Sequence, residues 1–206
     1  MSRGLLALIL LQLAACAAPS PAVSLAVPAQ QPPAKEYVDE LKRFTRHGHV
    51  IYDFDDAMAI DATFHAPEFQ EAYAAKWAEV YKLDRAEAER VRAQLMAQAT
   101  TNWEFYAETS AHNYEINDLA SYKTVWRVTL VSDTGKEVVA REIKPAKELR
   151  AMAFAFYPYA TVFSKGWRIK FPNKVGEEPL VTPDTKKLTL RLAGPQGSID
   201  LVWKLK

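Results

Sequence analysis

Residues 186–205 read KKLTLRLAGPQGSIDLVWKL, from Lys186 to Leu205. Two strand-forming runs flank Gly194-Pro195-Gln196-Gly197, and such a turn between two runs of this kind predicts a β-hairpin. The same texture of β-branched and aromatic runs, divided by turn residues, begins near Asn102 and continues to the end of the chain. It predicts strands over 102–109, 122–132, 136–143, 150–157, 163–171, 186–193 and 197–205, with a further hairpin turn at Asp133-Thr134-Gly135.

Short strands at this spacing suit an antiparallel, immunoglobulin-like β-sandwich better than a parallel sheet. Upstream the pattern differs. Tyr37, Leu41 and Phe44 stand at i, i+4 and i+7, a helical stripe with Gly48 as its expected stop. Val50, Tyr52 and Phe54, then Met58, Ile60, Ala62 and Phe64, alternate around Asp55-Asp56 and predict a β-hairpin. Pro67 opens a helix with Phe69, Tyr73, Trp77, Val80 and Tyr81 on one face and Glu68, Glu71 and Glu79 off it. Asp84 with Glu87 has capping-box spacing and starts a second helix whose stripe is Ala88, Val91, Leu95 and Ala99. The short joint predicts an antiparallel helical hairpin. The fold class is therefore α+β, N-terminal helices with a β-hairpin followed by the sandwich. The organisation is 1–15, 16–35, 36–101 (helices and hairpin) and 102–206 (sandwich), with 36–206 expected to fold as one cooperative unit.

The first two segments carry the clearest signal. Arg3 is followed by an apolar run from Leu5 to Leu13 broken only by Gln12, then by two alanines, the three-part layout of a signal peptide. That run is about half of the ~20 residues a spanning helix needs. Leu13-Ala14-Ala15-Cys16 resembles the lipobox of bacterial lipoproteins, which implies that 1–15 is a signal peptide and that Cys16 becomes the acylated N-terminus. Ala17 stands where aspartate commonly signals inner-membrane retention, so the resemblance implies the outer membrane, with the protein facing the periplasm or the cell surface. Cys16 is the single cysteine of the chain, so no intramolecular disulfide forms. From Ala17 to Ala34 the chain is mostly Ala, Pro, Ser, Val and Gln, the composition of a disordered tether.

Composition excludes more than it suggests. With 26 basic and 25 acidic residues there is no electrostatic footprint for nucleic acid. Charge is uneven, 8 basic to 13 acidic over 36–100 and 16 to 12 over 101–206, which reads as two faces of one domain attracting weakly. Neither a glycine-rich phosphate loop nor a Gly-x-Ser-x-Gly turn occurs, so no cofactor is expected.

Val50-Ile51-Tyr52-Asp53-Phe54-Asp55-Asp56 resembles the first motif of haloacid-dehalogenase-type phosphatases. That resemblance implies Asp53 as nucleophile, Asp55 as proton donor and Mg²⁺ as the phosphate's counter-ion. Ala57 stands where the family has Thr or Val, and the residues after Asp56 alternate as a strand where the family has a helix. Asp53, Asp55 and Asp56 read better as a solvated turn. His47, His49 and His65 lack the His-x-x-x-His or cysteine spacing of a metal site, and none is expected. Tyr114, Tyr157, Tyr159 and Trp167 lie near predicted turns, where a peptide or glycan surface would form.

Segments such as Trp126-Arg127-Val128-Thr129-Leu130 and Leu192–Gly197 resemble bacterial lipoproteins of no assigned role. The sequence thus points to a lipid-anchored, non-enzymatic binding or structural module. Its partners would be the membrane through Cys16 and an envelope protein or glycan. The alternatives are the aspartate-dependent phosphatase and an accessory subunit of an envelope complex.

Overall fold

The computed structural model describes residues 21–25, 37–52, 55–113, 115–146 and 150–206. The signal, Cys16 and most of the 16–35 tether lie outside them. The stripe from Tyr37 forms α1 (Tyr37–Phe44), with Leu41 and Phe44 buried. Gly48 does not stop it. The chain enters β1 (Thr45–Tyr52) directly after Phe44, and Gly48 lies inside that strand, opposite Ile60 of the antiparallel β2 (Asp55–Phe64).

Pro67 stands at the start of α2 (Pro67–Tyr81), where its missing N–H has no helical partner to lose. Lys82, at φ 53° in the left-handed region, closes that helix with its N–H on the last carbonyls. The reciprocal Asp84–Glu87 capping box then opens α3 (Arg85–Thr101). Further along come β3 (Asn102–Ser110), β4 (Arg127–Ser132), β5 (Glu137–Val139), β6 (Glu142–Pro145), α4 (Arg150–Phe156) and β7 (Lys165–Pro172). They are followed by β8 (Lys174–Val175), β9 (Glu178–Pro179), β10 (Lys187–Gly194) and β11 (Gly197–Lys204).

Three elements depart from the strand expectations. Residues 150–156 are helical: Met152, Phe154 and Phe156 alternate as in a strand, but Ala153 and Phe156, three apart, are the buried pair, and the Ala- and Met-rich composition suits a helix. The run over 136–143 is divided between β5 and β6, which belong to different sheets. The strand expected from 122 begins only at Arg127.

The strands form two facing antiparallel sheets, β1-β2-β3-β7-β6 and β11-β10-β4-β5, beside a small β8-β9 hairpin. The first sheet draws β1 and β2 from before residue 102, so the sandwich is not confined to 102–206. Between the sheets lies one apolar core, in which Trp203 of β11 sits 5.2 Å from Phe105 and 6.0 Å from Phe64, ring centre to ring centre. The Trp203 indole N–H donates to the Phe44 carbonyl at 2.8 Å, tying β11 to the end of α1.

The opposite face of the five-stranded sheet is covered by helices. Tyr73 of α2 and Phe156 of α4 lie 5.0 Å apart over it, and Trp77 packs on Phe156 at 5.5 Å. β3 is consequently buried on both faces, with every residue from Phe105 to Thr109 inside. Glu71, which the helical pattern places off the buried face, is 1% exposed. Its carboxylate accepts from Nε and Nη2 of Arg92 on α3, at 2.7 Å for Nε, and this fork joins the two helices of the hairpin.

Substitutions at two places test this packing. A Cβ on Gly48 would lie 2.5 Å from Ile199 Cγ2 and 2.8 Å from Leu201 Cδ2. Gly48→Ala should therefore cost about 1–3 kcal/mol, the range for overpacked cores, read as a lowered urea midpoint. Arg92→Ala strands the Glu71 carboxylate and should cost about 3 kcal/mol. Arg92→Ala combined with Glu71→Leu should recover most of that loss.

Candidate functional site

β3 alternates two sets of side chains. Trp103, Phe105, Ala107 and Thr109 belong to the face toward the second sheet, and Glu104, Tyr106 and Glu108 to the face under the helices. On β7, Lys170 stands opposite Glu104 and Arg168 opposite Tyr106. Arg168 reaches diagonally to Glu104, Nη1 to Oε1 at 2.8 Å, and Lys170 Nζ lies 3.6 Å from the other carboxylate oxygen. Burial alone would raise the Glu104 carboxyl, but the positive neighbours His65, Arg168 and Lys170 hold it below the usual carboxylate range. Arg168 and Lys170 supply this at neutral pH.

Above this pair the helical hairpin stands off the sheet and leaves a cavity of about 270 Å³. Its polar lining is His65, Gln70, Glu104 and Arg168, with Gln94 and Gln98 from α3, and its apolar lining is Tyr73, Trp77, Val91 and Leu95. His65 is positioned by the β2–α2 joint, where its backbone N–H donates to the Glu104 carbonyl at 2.9 Å. Its ring lies between two polar side chains, Nε2 2.8 Å from the Tyr157 hydroxyl and Nδ1 3.4 Å from Gln70 Nε2. Gln70 is 3% exposed, and its Oε1 has no partner among the described residues. The cavity therefore sets a guanidinium–carboxylate pair beside an indole wall. That set can hold a small molecule with hydroxyl or amide groups on an apolar ring.

A polar chain runs along the same face. Tyr157 stacks on Tyr106, ring centres 3.6 Å apart and nearly parallel, and Tyr106 donates to Glu108, which also accepts from Ser164 at 2.6 Å. Burial raises the Tyr157 hydroxyl well above its ordinary value, with Tyr73 adding to it, so Tyr157 stays protonated. Beyond the stack lies a second cavity of about 340 Å³, lined by residues including Tyr106, Lys165, Gly166 and Ala153. The hydroxyl that Tyr106 presents there is already bonded to Glu108.

The sequence candidates are scattered. Asp53 lies outside the described residues. Asp55 and Asp56 open β2, cross-strand from Tyr52 and Ile51, and the chain after them is that strand. His47 sits 3.1 Å from Asp61 on the outer part of the sheet, and His49 follows it with ring centres 6.0 Å apart. His65 belongs instead to the cavity. Among the described residues no three His, Cys, Asp or Glu side chains gather as metal ligands. Tyr157 and Trp167, expected near a binding surface, are interior, and Trp167 Nε1 donates to Thr109 Oγ1 at 2.7 Å. Tyr159 bonds Thr63 at 2.7 Å, and Tyr114 lies outside the described residues. Gln70, Glu104 and Arg168 escaped sequence reasoning. The signal for the last two is a charge of each sign, on strands whose neighbouring positions are all apolar or aromatic.

No protein-family model matches the chain, and no curated protein does. Among solved structures it is similar to a novel protein of unknown function from Burkholderia pseudomallei, at 13% identity over 80% of this chain and 79% of that one, with a TM-score of 0.43. A likeness of that size carries nothing over to this site.

Full burial lowers the His65 imidazole from 6.5 to about 4, with Arg168 acting in the same direction and Glu104 against it. Between pH 6.5 and about 4 the unfolded chain binds a proton that the folded chain refuses. Stability should accordingly be full above pH 6.5 and fall by about 3 kcal/mol as pH drops through that window. Urea denaturation of the wild type and His65→Gln at pH 7 and pH 5 checks this. The variant should lose much less stability between the two pH values.

Proposed function

We propose that this chain is a lipid-anchored protein of the outer membrane that binds a small glycan-type ligand, one sugar ring in size, in the cavity between the helical hairpin and the sheet. The observation that carries the binding role is the cavity itself, where the Glu104–Arg168 pair stands beside the Trp77 wall. A cavity with a few polar groups on an apolar lining takes a ligand whose hydroxyls bond those groups. A sugar offers such hydroxyls together with an apolar C–H face for Trp77. Arg168, Gln94 and Gln98 supply donors for the remaining oxygens.

The anchor rests on Arg3, the run from Leu5 to Leu13 and the lipobox-like Leu13–Cys16. Two or three acyl chains hold a protein on a bilayer far longer than one, since each buried methylene contributes ~0.8 kcal/mol. Among the described residues no helix is long and apolar enough to cross a membrane. The scaffold goes with an immunoglobulin-like assignment, supported by two facing antiparallel sheets between which the chain crosses from β3 to β4 and from β5 to β6. The role is binding without chemistry.

Both parts have direct tests. Labelled palmitate fed to cells should mark the wild type and not Cys16→Ser, and equal labelling would remove the anchor. Titration calorimetry of the purified protein with cell-wall saccharide fragments should give saturable binding. Gln70→Leu and Trp77→Ala should each weaken it about tenfold or more while the fold melts cooperatively. Failure of every saccharide to bind the folded wild type would overturn the ligand assignment.

A further inference from the structure

Composition marks 17–34 as one loose tether, but its middle is docked. Val23 is 0% exposed and forms a parallel bridge with Leu205. Its N–H donates to the Lys204 carbonyl at 2.8 Å, and its carbonyl accepts from the Lys206 N–H at 3.1 Å. Ser24 N–H donates to Glu68 Oε2 at 2.9 Å, and Arg46, which also donates to the Val202 carbonyl, reaches the Pro21 carbonyl at 3.4 Å. The segment thus forms a single strand-like bridge just beyond the end of β11. A buried apolar side chain, a strand-type pair of backbone bonds and a carboxylate acceptor hold it there. The covalent path from Cys16 to the docked segment then runs only to Pro21. At about 3.3–3.6 Å per residue that reaches no further than about 18 Å, against some tens of ångströms for the whole tether.

The end of the sandwich where this leash enters is cationic. Lys187 pairs across from Lys204, the Leu205 N–H bonds the Lys186 carbonyl, and Lys206 follows. With Arg46, these face Asp133, which accepts from the Lys186 N–H, Asp184 in the preceding turn, and Glu68. Glu68 is already engaged by Arg43 and Ser24. Positive charge is in excess. The opposite end of the same strands is the Gly194–Gly197 turn, which carries no charge.

We infer that the Val23–Leu205 end of the sandwich is a membrane-facing surface that lies against anionic phospholipid headgroups, with β10 and β11 standing away from the bilayer. A leash of at most about 18 Å keeps the lysines within about two Debye lengths of the headgroups and lets them close to contact, where their attraction is effective. Contacts at that end and the single covalent point together restrict rotation of the domain. This rests on the reading of Cys16 as the lipidated residue.

The test uses the full lipoprotein, with palmitate labelling as an independent readout of the anchor. It is reconstituted in vesicles containing a fifth anionic phospholipid. Ser198 and Lys204 are exposed, lie on one face of β11 and are about 20 Å apart along it. Because Cys16 is blocked by its lipid, Ser198→Cys or Lys204→Cys gives one free thiol for a fluorophore, quenched by a headgroup-bound acceptor. The Lys204 label should be quenched several-fold more than the Ser198 label. Val23→Asp, which undocks the segment, should bring the two signals together. Amide exchange in the detergent-solubilised wild type should find Val23 and Lys206 protected. Equal quenching of the two sites in labelled wild type, or unprotected Val23, would overturn the orientation and leave the anchor standing. Loss of palmitate labelling would overturn both.

Discussion

β3 has to be buried on both faces, and most of the architecture answers that demand. A strand whose residues from Phe105 to Thr109 are all inside needs a cover on each side. The second sheet supplies one through Trp203 and its neighbours, and α2, α4 and the residue after α4 supply the other through Tyr73, Phe156 and Tyr157. The cost falls on the polar members of β3, since a carboxylate under a helix must be paired or bonded. Glu104 takes Arg168 and Lys170, and Glu108 takes Tyr106 and Ser164. The polar chain across that face is the consequence of a two-sided strand that retains acidic residues.

The helical cover is uneven, and the cavity follows from the unevenness. α2 is pressed on the sheet through Phe69 and Tyr73, whereas in α3 only Ala99 is fully buried. What keeps α3 in place is the Arg92 fork onto Glu71, a polar clamp that sets the helices relative to each other without filling the space below. Val91 and Leu95 line that space with Trp77 as a partly apolar roof over Glu104 and Arg168. A clamp between helices and a charged pair below them leave a small chamber, where an all-apolar interface would have closed.

At the edge of the sandwich the same logic governs the chain's beginning. β11 ends beside α1, and its last residues would leave backbone groups unpaired. Val23 takes them up, its N–H on Lys204 and its carbonyl on Lys206, and buries its side chain in doing so. An exposed strand end and a tether with apolar Val23 and Leu25 in reach satisfy each other.

Local periodicity and turn chemistry determined a good part of this protein from sequence alone. The helical stripe from Tyr37, the Pro67 start, the Asp84–Glu87 capping box, the first hairpin and the Gly194–Gly197 turn all depend on residues a few positions apart. Such short-range signals survive without knowledge of the partner surface. The lipobox-like segment is a short-range signal too, and it lies outside the described residues. Tertiary structure alone decided the rest. It joined the first hairpin to the sandwich, made 150–156 a helix by burying Ala153 and Phe156 together, and turned Gly48 from a helix stop into the point where two sheets touch. It also buried Glu71 on Arg92, docked Val23, and gathered His65, Gln70, Glu104 and Arg168 around one cavity. Each of these depends on residues far apart in the chain. Their proximity is set by which apolar faces find each other in the core, and no window of the sequence encodes that.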